Sequence, residues 1–191
     1  RTVPMQIAED LTLLFGYAPP IPLTVLAQDL DTTVVEQHWG RQGLLGYSWM
    51  SDPQQRVIVV NIDQSDTVVR FTLAHALMHR VLHAHRRTNP LHLQPEAVNL
   101  TEMEANAGAG ALLMPARWLA PRLEAWHRVR KAEAEPWDVD TLQRWRATAG
   151  PVWARDAGVS LTALGYRLID LGVVSGEGAQ SWRQVSPRWG A

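Results

Sequence analysis

The sequence predicts an α+β fold in which a small, mostly antiparallel sheet packs on a helix pair and an all-helical region follows. Three short segments within residues 32–61 have the β-branched or alternating composition of strands. Residues 70–83 and 101–114 contain few helix breakers and repeat apolar or small side chains at helical intervals. Residues 151–172 place a glycine between two apolar segments, which indicates a helix-turn-helix arrangement.

Composition limits the class of protein. A chain of 191 residues can form one compact domain, with or without a small appendage. No apolar window reaches the length of a membrane span and no signal-peptide pattern opens the chain, so we expect a soluble, cytoplasmic protein without a membrane partner. The chain begins with Arg1 rather than Met, which indicates an expressed or processed fragment. The absence of cysteine excludes disulfides and thiolate metal ligands.

Charge is unevenly distributed along the chain. Residues 1–115 carry 7 basic and 11 acidic side chains, whereas residues 116–191 carry 11 and 8, and the formal net charge is −1. The second part is therefore weakly basic. This excess is far from the dense basic surface that nucleic-acid binding usually requires.

The N-terminal elements are predicted from apolar spacing and breakers. Residues 4–17 should form a helix that ends at Gly16, and the prolines of residues 18–22 separate it from a short helix over residues 23–30. The apolar stripe of the first helix consists of Ile7, Leu11, Leu14 and Phe15.

The strands are expected over residues 32–37, 44–50 and 56–61, of which the last is the strongest prediction. Turn residues at 42–43 and 51–53 separate them. Such a sheet could flank a binding site or merely cover the core.

The helix over residues 70–83, which Ser65 or Asp66 could cap, carries His75 and His79 one turn apart on one face. Two imidazoles at this spacing can close on one metal ion. The zinc-peptidase motif with this spacing is His-Glu-x-x-His, whose Glu is the general base, and here Ala76 occupies that position. Taken alone, the pair could equally be two partly exposed helix histidines.

A third ligand could come from the helix over residues 101–114. Glu102 shares a face with small residues that would let a neighbouring helix approach closely, and Glu104 is a competing ligand. Both could instead be ordinary charges near a helix start. The helix could begin at Thr101, in a capping box with Glu104, or earlier near Pro95, and Pro115 should end it.

Together these motifs resemble the ImmA/IrrE family of metallopeptidases. The resemblance rests on Arg-Phe-Thr-Leu-Ala-His at residues 70–75, on Leu82-His83, and on Glu102-x-x-Ala105-Asn106 followed by Ala-Leu-Leu-Met-Pro at residues 111–115. It implies a zincin-like core with His75, His79 and Glu102 as metal ligands, and ranks Glu104 lower. The departures are Ala76 for the catalytic Glu and Met78 for a commonly small residue.

The resemblance also implies a cofactor and a substrate. A His₂Glu set suits Zn²⁺, with Mn²⁺ or Fe²⁺ as alternatives. The expected substrate is a helix-turn-helix transcriptional repressor, cleaved in a stress or mobile-element response. His83 could orient a ligand, although helix-end stabilisation is the preferred interpretation. Other candidates for substrate or transition-state contacts are Tyr47, Asn61, Arg70 and Tyr166.

The predicted domains are a core over residues 1–115, a helical region over 116–174 and a loosely ordered tail over 175–191. Within the helical region we expect helices over residues 122–132 and 139–149, core tryptophans, and a last helix capped by Ser160. That helix should turn Leu164, Leu168 and Leu171 inward. As a DNA reader it is poor, because it offers Arg167 and Thr162 but also Asp170, so structure or protein docking is preferred.

The sequence is compatible with three functions: a metal-dependent endopeptidase, a non-catalytic antirepressor or sensor, and a DNA-binding regulator. Without a Glu at position 76, metal binding should survive and peptide hydrolysis should be nearly lost. Either the Glu was replaced deliberately or the chain is a natural pseudopeptidase. We favour deliberate replacement, because all three ligand positions remain.

Overall fold

The computed structural model describes residues 2–52, 55–84, 88–91, 100–130 and 136–186. Their elements, in chain order, are α1 (Val3–Leu14), α2 (Leu23–Asp29), β1 (Thr33–Gln37), β2 (Gly46–Asp52), β3 (Gln55–Asn61), α3 (Asp66–Leu82), β4 (Thr88–Leu91), α4 (Leu100–Leu113), α5 (Ala116–Arg130), α6 (Val139–Ala147), α7 (Ala149–Ala157), α8 (Leu161–Asp170) and α9 (Gly176–Val185). None of these helices is long and apolar enough to span a membrane.

The sheet has the strand order β1-β3-β2-β4. β1 pairs in parallel with β3, whereas β2 pairs antiparallel with both β3 and β4. The predicted α+β fold with a mostly antiparallel sheet is therefore confirmed. β4 is not apparent from the sequence, because Asn89-Pro90 resembles a turn. Proline is tolerated there since β4 is an edge strand of the described sheet.

Helix α3 lies on the sheet and is buried for most of its length. It contacts β3, β2 and β4 on one side and α4 on the other, while α4 also contacts α1. Ser65 is the N-cap residue of α3, although its side chain makes no capping hydrogen bond. α3 lies between the sheet and α4, so side chains near its C-terminal end can contact side chains of α4.

The close approach of α3 and α4 depends on small residues. Ala105 and Ala109 are fully buried, and a Cβ added at Gly108 would lie 2.7 Å from Cε of Met78. The large Met78 therefore fits because residue 108 has no side chain. α4 includes Leu100, so Thr101 is not its capping residue, and the start near Pro95 that the family resemblance favours falls outside the described residues.

The helical region begins earlier than predicted. α5 starts at Ala116 and contains Pro121, whereas we expected a helix only after that proline. Pro121 removes a main-chain donor, but buried Leu119 and Leu123 on either side hold the helix in place. The predicted stop at Pro115 is confirmed, since α4 ends at Leu113.

The helix-turn-helix prediction is confirmed by α7 and α8. Gly158 between them has φ 66°, the left-handed conformation that glycine tolerates best, and Oγ of Ser160 accepts a hydrogen bond from the Ala163 N–H. Leu164 and Leu168 are fully buried, whereas Leu171 is only partly buried.

The prediction of a loosely ordered tail from residue 175 is wrong for residues 176–185, which form α9. Trp182 of α9 is buried, and its ring centroid lies 6.1 Å from that of Trp145. A Cβ added at Gly165 would lie 2.1 Å from the Trp182 ring, so this glycine admits the indole. The glycine and serine content of this segment predicts a loose tail, but the buried Trp182 anchors it as a helix. Residues 187–191 lie outside the described part.

Candidate metal centre

Three side chains meet where the end of α3 crosses the start of α4. The Nε2 atoms of His75 and His79 are 2.9 Å apart. The Glu102 carboxylate reaches both, with Oε2 at 3.1 Å from Nε2 of His75 and Oε1 at 3.0 Å from Nε2 of His79. Within the described ranges this is the only group of at least three His, Cys, Asp or Glu side chains that could hold a metal ion.

The helices supply this geometry from opposite sides. His75 and His79 are one turn apart on α3, so their rings point into the same crevice, and their centroids are 4.5 Å apart. His79 is 0% exposed, whereas the side chain of Glu102 is 41% exposed. The group is therefore buried on its histidine side and accessible to solvent on its carboxylate side.

Each histidine is held from behind by a polar partner. Nδ1 of His75 lies 2.9 Å from Oδ1 of Asn106, and Nδ1 of His79 lies 3.2 Å from Nδ1 of His83. Because Asn106 Oδ1 can only accept, Nδ1–H of His75 donates to it, and Nε2 is the ring nitrogen that faces the centre. Outer partners of this kind orient metal-ligating histidines.

The electrostatics favour the metal-binding forms of two groups. Burial holds the pKa of His79 below its ordinary value, which favours the neutral imidazole. Burial raises the pKa of Glu102, but its hydrogen bonds with His75 and His79 outweigh that effect and hold the pKa well below its usual range. Metals bind neutral imidazoles and ionised carboxylates, so this group requires little change in protonation on binding.

The donor set fits a small divalent cation. The Nε2 atoms of His75 and His79 and the Glu102 carboxylate face one another at 2.9–3.1 Å. Nitrogen and oxygen ligands of one tetrahedral zinc ion lie about 3.3 Å apart, which is close to this spacing. A bound cation would take the Nε2 lone pair of each neutral ring and a carboxylate oxygen of Glu102 as its ligands.

The two candidate acids of α4 are separated by the structure. Glu102 reaches both histidine rings, whereas Oε2 of Glu104 lies 3.0 Å from Nε2 of His83. Glu104 is therefore outside the three-residue group. His83 is the C-cap residue of α3 and its backbone N–H donates to the His79 carbonyl, so it stabilises the helix end and also contacts a candidate ligand.

Position 76 supplies no proton acceptor. Ala76 is 0% exposed and lies on α3 between the two histidines. Among the described residues, the carboxylate of Glu102 is the only one in the three-residue group, so the group contains no second carboxylate that could act as a general base toward water. The arrangement can bind a metal ion that polarises a carbonyl or a water molecule, but it lacks the general-base side chain that the motif normally contributes.

Two of the predicted substrate contacts have other hydrogen-bond partners. Arg70 donates from Nε to the Gly158 carbonyl and from Nη2 to the Ile21 carbonyl, both at 3.0 Å. Tyr166 is buried, and its hydroxyl lies 2.9 Å from the Ser186 carbonyl. These bonds tie elements together, so the structure supports a structural role for each.

The two predicted contacts on the sheet also serve local structure. Both amide hydrogens of Asn61 donate to carbonyls, those of Gly40 and Leu44, and its Oδ1 accepts from the Asp63 N–H. Asn61 therefore holds the loop between β1 and β2 rather than the histidine group. Tyr47 is half-buried, and its ring stacks on Trp39 with centroids 5.8 Å apart.

The role of Asn106 behind His75 is not among the predictions from the sequence. The signal that could have identified it is its position four residues after Glu102, which places both side chains on one face of α4. The partnership of His83 with Glu104 had no such local signal, because the two residues lie on different helices.

The profile of one protein family matches residues 27–168, which include α3, α4 and the whole three-residue group. The description of this family is IrrE N-terminal-like domain, Peptidase_M78. No curated protein sequence matches the chain.

Proposed function

Because this chain belongs to the Peptidase_M78 family of IrrE N-terminal-like domains, a family of metal-dependent peptidases, we propose that it binds a divalent metal ion through His75, His79 and Glu102. Its proposed substrate is a helix-turn-helix transcriptional repressor, cleaved in a stress or mobile-element response. With alanine at position 76, the chain binds metal and substrate but hydrolyses peptide bonds very slowly.

One observation carries the metal-binding part: the two imidazole Nε2 atoms lie 2.9 Å apart, and the Glu102 carboxylate reaches each of them with one oxygen, at 3.1 and 3.0 Å. Zn²⁺ is the preferred ion for two imidazoles and a carboxylate, with Mn²⁺ or Fe²⁺ as alternatives. When bound, the ion would act as a Lewis acid on the scissile carbonyl and on the attacking water. His75, His79 and Glu102 hold it, while Asn106 and His83 orient the two rings.

The protein substrate follows from family membership, and two features of the fold support an extended segment as its form. The carboxylate side of the group is open to solvent, and β4 is an edge strand of the described sheet that contacts α3. An edge strand can bind an extended chain by main-chain hydrogen bonds. The repressor as the particular partner rests on the resemblance of the motifs.

The decisive experiment restores the missing base. Ala76→Glu should raise cleavage of a candidate helix-turn-helix repressor by about 10²- to 10⁴-fold, because a positioned general base contributes that much. Ala76→Gln is the matched control, since it adds the same volume at a buried position without a base. Zinc content is measured alongside. No gain in cleavage by Ala76→Glu with zinc bound would reject the peptidase proposal.

A non-catalytic repressor-binding protein is the second candidate. Two observations favour it: Ala76 is fully buried, and Met78 fits against Gly108. The helix that carries the two histidines is therefore closely packed with alanine at position 76. Under this alternative the Ala76→Glu variant binds the repressor and leaves it intact. Direct DNA reading has little support, because Arg167 is 1% exposed and bonded to Glu9.

A further inference from the structure

We propose that Glu104 and His83 position His79, by determining which of its ring nitrogens carries the proton, and thereby set the metal affinity of the centre. The inference rests on the proposed metal-binding function. Its basis is a chain of contacts from the helix surface inward: Oε2 of Glu104 to Nε2 of His83 at 3.0 Å, then Nδ1 of His83 to Nδ1 of His79 at 3.2 Å.

The protonation pattern of this chain follows from its end. A carboxylate accepts hydrogen bonds only, so Nε2 of His83 donates to Glu104. In the form of His79 that binds metal through Nε2, the ring carries its proton on Nδ1, and this N–H donates to Nδ1 of His83. The remaining nitrogen of His79, Nε2, is left with the lone pair that a metal requires, and it faces Glu102.

The rings are held firmly enough for this chain to act as a positioning device. His79 and His83 are both buried, and their centroids are 5.2 Å apart. The backbone N–H of His83 also donates to the His79 carbonyl at 2.8 Å, so the helix end fixes one ring relative to the other. Glu104 is half-buried on α4, which connects the outer end of the chain to the second helix.

The two histidines of the centre differ in the hydrogen-bond partner that lies behind each ring. His75 has a neutral amide partner, Asn106, whereas the chain behind His79 ends in a carboxylate. A carboxylate behind a histidine raises its strength as a ligand more than a neutral acceptor does. Substitutions in the chain should therefore weaken metal binding although neither His83 nor Glu104 belongs to the three-residue group.

The test compares Zn²⁺ affinity, measured by competition with a chelator, among matched variants of the full chain. His83→Leu and Glu104→Ala should weaken binding by about 10- to 100-fold. His83→Gln should retain most of the affinity, because its amide oxygen can accept from His79 while its N–H₂ donates to Glu104. Glu104→Gln, which keeps an acceptor but removes the charge, should fall between. Glu124→Gln, which removes one exposed negative charge on α5, is the control and should match the parent chain.

Two further readouts separate positioning from a general loss of structure. The visible absorption spectrum of the Co²⁺-loaded protein should change in His83→Leu and return in His83→Gln, whereas metal-free thermal unfolding reports the fold alone. Equal affinity in His83→Leu and the parent chain, or equal losses in His83→Leu and His83→Gln, would overturn the inference. A parent chain that binds neither Zn²⁺ nor Co²⁺ would overturn the proposed function itself.

Discussion

The cluster around Glu9 and Arg167 and the group of His75, His79 and Glu102 are both polar contacts between helices, but only the first contains its own permanent cation. Nη2 of Arg167 lies 2.6 Å from Oε1 of Glu9, and its Nε donates to the Met114 carbonyl. In the histidine group, two imidazole Nε2 atoms and a carboxylate converge without a guanidinium or ammonium among them.

This difference separates structure from function in side chains of similar chemistry. A buried carboxylate is tolerated when a cation of the protein neutralises it, as Arg167 does for Glu9. Two imidazoles and a carboxylate with no cation of the protein among them form the ligand set of a metal site, so such a group indicates a ligand from outside the chain.

The largest effect is expected from Arg167→Met. It leaves Glu9 buried without its cation, which should lower the free energy of unfolding by about 3–5 kcal/mol. Urea unfolding of the metal-free protein measures this loss. The double variant Glu9→Met with Arg167→Met is the control, and should recover much of it because no charge stays unpaired. A double variant as unstable as Arg167→Met would show that the cluster is not a simple ion pair.

Zinc bound at the group of His75, His79 and Glu102 should change the free energy of unfolding by a smaller amount. Free Zn²⁺ at 100 times its dissociation constant should stabilise the protein by about 2.7 kcal/mol, since it binds only the folded state. Thermal unfolding with zinc and with EDTA measures the difference. Glu102→Ala removes one ligand from the exposed side of the group and should reduce the response. An identical zinc response in both proteins would remove Glu102 from the site.

A third prediction concerns how α8, the helix of Arg167, is held from its other side. Gly165→Ala should destabilise the protein by about 1–3 kcal/mol, because the new Cβ would lie 2.1 Å from the rigid Trp182 ring. Gly110→Ala is the matched control. Its Cβ would meet Arg167 only at 3.9 Å, so it should be neutral or stabilising through helix propensity. Similar unfolding free energies for the two variants would contradict the docking of α9 on α8.

The smallest effect is expected at the start of the same helix. Ser160→Ala removes the acceptor of the Ala163 N–H and should lower stability by about 1 kcal/mol, while zinc affinity stays unchanged. Thr162→Ala removes a hydroxyl two residues later and should change stability less. A zinc affinity that falls with Ser160→Ala would mean that the helical region and the metal centre are coupled.

Much of the fold was predictable because its signals are local. Strand composition identified β1 to β3, and glycine with serine identified the turn and cap between α7 and α8. The failures came where distant contacts override composition. β4 forms because β2 offers it a pairing edge, and α9 forms because Trp182 has a buried place beside Trp145.

Arg167 shows the same limit at a single side chain. On the sequence it was a candidate for reading DNA, since arginine on the second helix of a helix-turn-helix is typical of that function. In the fold it is buried against Glu9, which lies 158 residues earlier in the chain. No pattern within α8 indicates this partner.

The division of the chain at residue 115 stays a prediction. Helix α8, from the predicted helical region, contacts α4 of the predicted core. The two parts therefore share an interface in the described structure.

Helical periodicity and residue identity are local properties, so they already place His75 and His79 on one face and leave residue 76 without a base. Only the folded chain shows that Glu102 contacts both rings while Glu104 contacts His83. The position of Asn106 behind His75 is likewise a property of the fold. These choices depend on how closely α4 crosses α3, and that distance is determined by the packing of Met78 against Gly108, residues separated by thirty positions in the chain.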